Sequence, residues 1–421
     1  MSRQFARDAV WIMVGRLGIG VALILTTRLL TDQVSPVEYG YFALLISLLG
    51  LAFNITFQPM NLASQRFIPP ALNTGTVAGV RATLLRLMRL RYALAVGVIL
   101  AGYLGLTAFD IVPFRWPLLV GVLVLTLMTG QRSLYTFMAE AVRNQKLSSV
   151  WKVTEGFLKL ACALSLVTLF RPSADAILIG FCLGMILPSA YFLWRYHATG
   201  FTADANTDAH GREITRFAIP LTLAGGLNWF IGFGDRFILS AYGDAAEVGI
   251  YYAIYGLMSF PMLQMGGIFS TLIQPIFFRH EAAQQRNLIL WLGALSIWLL
   301  PVLVMIWFFS DLIAQLLLGT AFRGGSDYMI WIAAGYGLLS LNMALDARIL
   351  SAQKTRLLTT IIAIAAVANF TLNLILVPDL GAKGAGMATF FTFVVQFALS
   401  SLAVIYLSWI AKDQSCLRKA P

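Results

Sequence analysis

Long apolar runs, separated by short polar intervals, recur along the whole chain. Within each run the apolar positions are continuous, not alternating. The runs therefore read as helices and not as the strands of a membrane barrel. About 20 apolar residues cross a bilayer core. On that measure the pattern predicts about twelve helices, near 9–31, 38–58, 88–109, 116–138, 149–170, 174–195, 214–240, 245–278, 288–309, 328–350, 355–377 and 383–409. The longest polar intervals fall near 59–90 and 196–213, and none can hold a catalytic domain. The first run is longer than a signal-peptide core and lacks a small-residue cleavage site, so it is expected to remain as the first helix.

Composition sharpens this reading. Of 421 residues, 59% are apolar or aromatic and 12% are charged, where a soluble domain carries about 25% charged residues. That excludes a soluble globular chain, a disordered chain and a disulfide scaffold, and defines an all-α polytopic membrane protein. The three cysteines, Cys162, Cys182 and Cys416, have no metal or redox spacing. The net charge of +11 reflects topology more than nucleic-acid binding. Twenty of the 30 Lys and Arg residues fall at the termini and in the even-numbered intervals. Four, Arg115, Arg171, Arg323 and Lys383, fall in the odd-numbered ones. The positive-inside rule then places both termini in the cytoplasm.

An internal repeat is present at an offset near 208. Gln145-Lys146 recurs as Gln353-Lys354, and Glu38-Tyr39-Gly40-Tyr41-Phe42 recurs as Glu247-Val248-Gly249-Ile250-Tyr251. The expected organisation is two six-helix lobes, 1–196 and 214–421, related by a parallel repeat and joined by a cytoplasmic linker over 197–213. Transporters are commonly built from such repeats.

The remaining six basic residues, Arg16, Arg28, Arg132, Lys152, Lys159 and Arg236, lie in or at the ends of spans. Each costs about 2.5–3.5 kcal/mol at the bilayer centre unless it meets water, an acid or the interface. Glu140, Glu155, Asp235 and Asp346 are the acids available. Lys152, Glu155 and Lys159 are spaced by three and four and form one helical stripe. The stripe is either a self-neutralising ladder or the lining of a cavity. Arg16 and Arg132 sit deep enough to line the same cavity, whereas Arg28 reads as an interface anchor. Asp235 and Arg236 are adjacent, point about 100° apart, and each needs another partner. Asp346 and Arg348 read as a gate or a surface pair. The excess of cations suits an anion, most simply a phosphate or diphosphate. Pro220 and Pro261, with the glycines around them, offer hinges in the seventh and eighth helices.

No nucleotide-binding loop, zinc pattern or catalytic triad is present, so no catalytic residue, metal or cofactor is expected. The run from Arg28 through Ser35-Pro36-Val37-Glu38-Tyr39-Gly40 to Leu44 resembles the first-loop signature of the polysaccharide flippases. These are the O-antigen (Wzx-type) and exopolysaccharide members of the multidrug/oligosaccharidyl-lipid/polysaccharide exporter superfamily. Asp235 with Gly249-Ile250-Tyr251, and Asn369 to Asn373 with Pro378, Gly381 and Gly384-Ala385, are similar to later patterns of the same group. The resemblance implies alternating access by two six-helix lobes. It also implies transfer of a polyprenyl-diphosphate-linked oligosaccharide to the outer leaflet, with a polymerase and glycosyltransferases as functional partners. Arg16, Arg132, Lys152 and Lys159 would then bind the substrate, and Glu155 and Asp235 would be candidates for proton or sodium coupling. The second reading is a cation-coupled multidrug exporter. Such exporters often carry a carboxylate in the first helix, and none lies between Asp8 and Asp32.

Overall fold

A computed structural model describes the backbone of residues 3–197, 208–279 and 284–417. Every regular element among them is helical. In chain order they are α1 (Arg3–Gln33), α2 (Pro36–Thr74), α3 (Val77–Ala108), α4 (Trp116–Ala141), α5 (Gln145–Leu169) and α6 (Ala174–His197). Then follow α7 (Asp208–Tyr242), α8 (Ala245–Arg279), α9 (Gln284–Leu317), a 3-10 segment (Thr320–Tyr328) and α10 (Met329–Ser351). The last element, Thr355–Leu417, breaks at Gly381 into α11 (355–380) and α12 (382–417). Nine stretches of the described residues are long and apolar enough to cross a membrane, and one of these covers both α11 and α12. The charges of α5 keep it out of the nine, and α8, at 35 residues, completes the twelve-helix frame. Most of the expected linker over 197–213 lies outside the described residues.

One expected loop is helical. The interval 59–90 continues α2 to Thr74 and starts α3 at Val77. Pro59 has no amide to donate, and the π-helical turn Phe53–Phe57 just before it takes up the irregularity. The polar residues that hide this helix in the sequence bond inside the protein: Asn61 Nδ2 donates to Ser133 Oγ at 3.2 Å, and Ser64 Oγ to the Asn61 carbonyl at 2.7 Å. Gly75, with φ +72°, ends it in the left-handed conformation that glycine adopts freely.

Matching caps begin the helices that carry the repeated motif. Ser35 Oγ accepts from the Glu38 amide at the start of α2, and Asp244 Oδ1 accepts from the Glu247 amide at the start of α8. The turns α4–α5 and α10–α11 also share one form. Arg143 and Gln353 both have positive φ, and in each turn three amides bond back to the last helical carbonyls. That match sets the register at 210 there, two more than the Gln-Lys pairs give.

By packing, the chain forms two compact units: residues 1–252 with 317–322, and residues 253–316 with 323–421. In the first, α1 lies on α5 through small residues. A Cβ on Gly15 would strike Ser149, and one on Gly18 would strike Val153. At Gly40 the backbone of α2 meets α8 so closely that a Cβ would lie 1.8 Å from the Ala245 carbonyl oxygen. Gly249 makes the reciprocal approach, 2.1 Å from the Pro36 oxygen. In the second unit, Ser340 Oγ of α10 donates to the Met262 carbonyl of α8 at 2.6 Å, and Asn369 Nδ2 of α11 donates to Thr392 Oγ1 of α12 at 3.1 Å. Gly381, with φ +53°, makes the turn between these last two helices.

Candidate functional site

The intramembrane charges of the first unit gather where α1, α4 and α5 pack. Glu155 is buried, with 4% of its surface exposed, and anchors the set. Lys159 Nζ donates to its Oε1 at 2.6 Å, one helical turn along α5. Arg132 Nε of α4 lies 3.3 Å from its Oε2. A second carboxylate, Glu140 at the end of α4, accepts from Lys152 Nζ at 2.5 Å and from Ser148 Oγ at 2.7 Å. Arg16 of α1 is within electrostatic reach of Glu140. Lys152 and Lys159 also face the rings of Phe137 and Phe181, 5.8 and 5.9 Å from their centroids.

The four basic residues expected to bind substrate therefore lie around two acids: Arg132 and Lys159 pair with Glu155, Lys152 pairs with Glu140, and Arg16 feels the charge of Glu140. Four cations against two carboxylates leave a positive surplus. The stripe on α5 is thus ion-paired, as the ladder the sequence allows: Lys159 on Glu155 along the helix and Lys152 on Glu140 across the turn. Arg132, Lys152 and Lys159 keep 20%, 23% and 19% of their side chains exposed, against 5% for Glu155. Such an array can bind an anion through charge-assisted hydrogen bonds.

Asp235 and Arg236 lie elsewhere in the unit and are almost completely buried. Tyr251 OH donates to Asp235 Oδ2 at 2.6 Å. Arg236 bonds the Gly232 carbonyl at 2.8 Å and lies over the rings of Phe233 and Tyr252. By folding back along α7 it also brings Nη1 to 3.6 Å from Asp235 Oδ1, so the adjacent residues approach more closely than their 100° separation promises. The structure does not bring Asp235 to Glu155. Arg28 pairs with Asp32 at the end of α1. Asp346 accepts from Asn342 Nδ2 at 2.9 Å, and Arg348 donates to Ser351 Oγ at 3.3 Å, so these two act with different neighbours.

Two roles escape the sequence. Glu140 is twelve residues from Lys152, and only the tight turn at 142–144 brings them together. Glu38 joins three interhelical loops: Arg115 donates to both its oxygens at 2.9 and 2.8 Å, and the Ala174 amide donates at 2.9 Å. Arg115 also reaches Asp175 at 3.1 Å. Its bond to Glu38 raises the guanidinium pKa above the ordinary value. The lone cation in the loop after α3, opposite an acid in the motif after α1, was the available signal.

The fold is similar to a multidrug resistance MATE family transporter of the MOP superfamily in an inward-facing conformation (TM-score 0.68, 12% identity, 95% of this chain and 99% of that one). It is similar to the lipid II flippase MurJ in an inward closed conformation (TM-score 0.62, 14% identity, 95% and 87%). It is also similar to a mutant of the Vibrio cholerae MATE transporter VcmN (TM-score 0.60, 14% identity, 99% and 97%). These likenesses show the fold, that of the MATE transporters and MurJ, and the long apolar helices make the chain a multi-pass membrane protein. No curated protein sequence matches the chain. Residues 5–281 match the family described as polysaccharide biosynthesis protein, and the chain belongs to that family. The expectation from its sequence motifs is met.

Proposed function

We propose that the protein is a flippase for a polyprenyl-diphosphate-linked oligosaccharide. It moves this lipid from the cytoplasmic to the outer leaflet of a bacterial inner membrane, with both termini in the cytoplasm, and supplies the polymerase that extends a surface polysaccharide. The observation that carries this reading is the cationic network of Arg16, Arg132, Lys152 and Lys159 on a family frame devoted to polysaccharide biosynthesis. The diphosphate would meet these donors while the prenyl chain stays in lipid. An inside-negative potential favours outward movement of an anion by about 2.3 kcal/mol per charge per 100 mV. Glu155 and Asp235 are the candidate sites for a coupled proton or sodium ion.

A cation-coupled multidrug exporter is the second reading, favoured by the likeness in fold to the MATE transporters. The surplus of positive charge in the network opposes it, because a cationic drug would be repelled. Translocation in proteoliposomes separates the two. A short polyprenyl-diphosphate oligosaccharide should become accessible to an external lectin with the wild-type protein, and this should be lost in Arg132→Gln/Lys152→Gln/Lys159→Gln with folding intact. Transport of cationic dyes, with no movement of the glycolipid, would reverse the order of the readings.

A further inference from the structure

A second basic site lies away from the α5 network, on the ends of α3 and α7 that the charge bias assigns to the cytoplasm. A cavity of about 1000 Å³ opens there, lined by Arg86 and Leu87 of α3 and by Arg212, Thr215, Arg216, Ile219 and Pro220 of α7. Arg212 and Arg216 are one helical turn apart and share a face. Arg86 comes from the facing helix and reaches the backbone of α7, where its Nη2 lies 3.6 Å from the position a Cβ would take on Gly211. Glu213 follows Arg212 by one position, points about 100° away, and does not line the cavity.

Deeper along both helices the surface turns apolar. Leu90 and Leu94 continue the face of Arg86 at four-residue spacing, and Ile219 and Leu223 continue that of Thr215. All four are exposed, between 46% and 75%. The cavity is thus cationic at its mouth with Leu87, Ile219 and Pro220 in its wall, and exposed Leu90, Leu94 and Leu223 continue along both helices beyond it. From Arg212 to Pro220 it descends about 12 Å at 1.5 Å per residue. A soluble anion would use only the mouth. A lipid with a phosphate headgroup uses both parts: guanidinium forks bind its oxygens, and its chains lie on the four aliphatic residues. Basic pockets between membrane helices on the cytoplasmic side are suited to such headgroups.

We infer that this cavity binds the phosphate headgroup of an anionic phospholipid of the surrounding membrane. The inference is independent of what the α5 network transports. It is tested on the full-length protein, stripped of lipid in detergent and titrated with phosphatidylglycerol, cardiolipin or phosphatidylcholine of equal chain length. Bound lipid is counted by native mass spectrometry. Wild type should prefer the anionic lipids by roughly tenfold or more, at about 1 kcal/mol per basic residue. Arg86→Gln/Arg212→Gln/Arg216→Gln should bring the preference to within about twofold. Arg143→Gln/Lys146→Gln/Arg356→Gln removes the same charge elsewhere and should keep it. Where the first variant does not fold, Arg216→Gln alone should cost about fivefold. An absence of preference in wild type, or equal loss in both triple variants, would overturn the proposal. Tighter binding of a polyprenyl diphosphate than of phosphatidylglycerol, lost only in the cavity variant, would overturn it in favour of the glycolipid.

Discussion

α5 and α11 occupy equivalent places in the repeat and carry opposite chemistry. At the register of 210 fixed by the turns before them, Lys152 corresponds to Ile362, Glu155 to Ala365 and Lys159 to Asn369. The burial of the two helices matches position by position over 151–155 and 361–365. Arg132 of α4 corresponds to Asn342 of α10. Over these five positions the burial agrees while the charge belongs to one copy. Where α5 holds an ion network, α11 holds Asn369, bonded to Thr392, and a cavity of about 1050 Å³ lined mainly by threonines and aliphatic residues. Charge shared by both copies would have been a device of the fold. Charge confined to one copy marks a task that only that unit performs, which the proposed reading assigns to anion binding.

What the halves share gives the contrasting case. The Glu and Gly of Glu38-Tyr39-Gly40 and Glu247-Val248-Gly249 recur in both copies, and the two glycines sit at the mutual approach of α2 and α8 in the first unit. These positions serve packing, and their substitution should act on stability more than on transport.

The comparison breaks first if neutralising the two helices has equal effects. Removal of Arg132, Lys152 and Lys159 as glutamines is expected to lower glycolipid translocation roughly a hundredfold, each lost charge-assisted bond contributing about 1.5–3 kcal/mol before non-additivity. Thr359→Val/Thr360→Val on α11 should change the rate less than about threefold in the same vesicles. Next, Glu155→Ala leaves Arg132 and Lys159 without their shared carboxylate. A loss of about 2–3 kcal/mol is expected, below the value for a fully buried pair because the cations keep some solvent, read as reduced thermal stability in detergent. Ala365→Ser, at the equivalent place on α11, should cost about 1 kcal/mol. A rescue of Glu155→Gln by Arg132→Gln would locate the damage in the uncompensated charge.

A smaller and more uniform effect is expected where the copies agree. Gly40→Ala and Gly249→Ala each force a Cβ onto a carbonyl oxygen. Each should lower stability by about 1–3 kcal/mol, with residual transport per folded molecule near that of wild type. Smallest is Arg115→Gln, which frees Glu38 and Asp175 in a partly exposed cluster. About 1 kcal/mol is expected, seen as a small shift in thermal midpoint that shrinks further at high salt.

Much of this was legible because lipid restricts the choices. Continuous apolar runs set the helical frame, and charge inside a span singled out Arg16, Arg132, Lys152 and Lys159 before any geometry. The helical continuation of α2 beyond 58 was not legible. Its prolines and amides look like loop residues until Ser133 is seen to bond Asn61. Nor was Glu140, since its pairing with Lys152 depends on the form of one turn. The repeat was readable as motifs but not in register. The Gln-Lys pairs align two residues away from the turns that share one form, and at that shift the match in burial between α5 and α11 is lost.

Direct binding tests the central claim with least intervening machinery. The full-length protein in nanodiscs would be titrated with a polyprenyl diphosphate, the corresponding monophosphate and the free alcohol, in wild type and in Arg132→Gln/Lys152→Gln/Lys159→Gln. Diphosphate should bind roughly tenfold more tightly than monophosphate, the alcohol more weakly than either, and the variant should lose the discrimination. Equal affinities for the three lipids in wild type, or discrimination that survives in the folded variant, would contradict an anion site on α5.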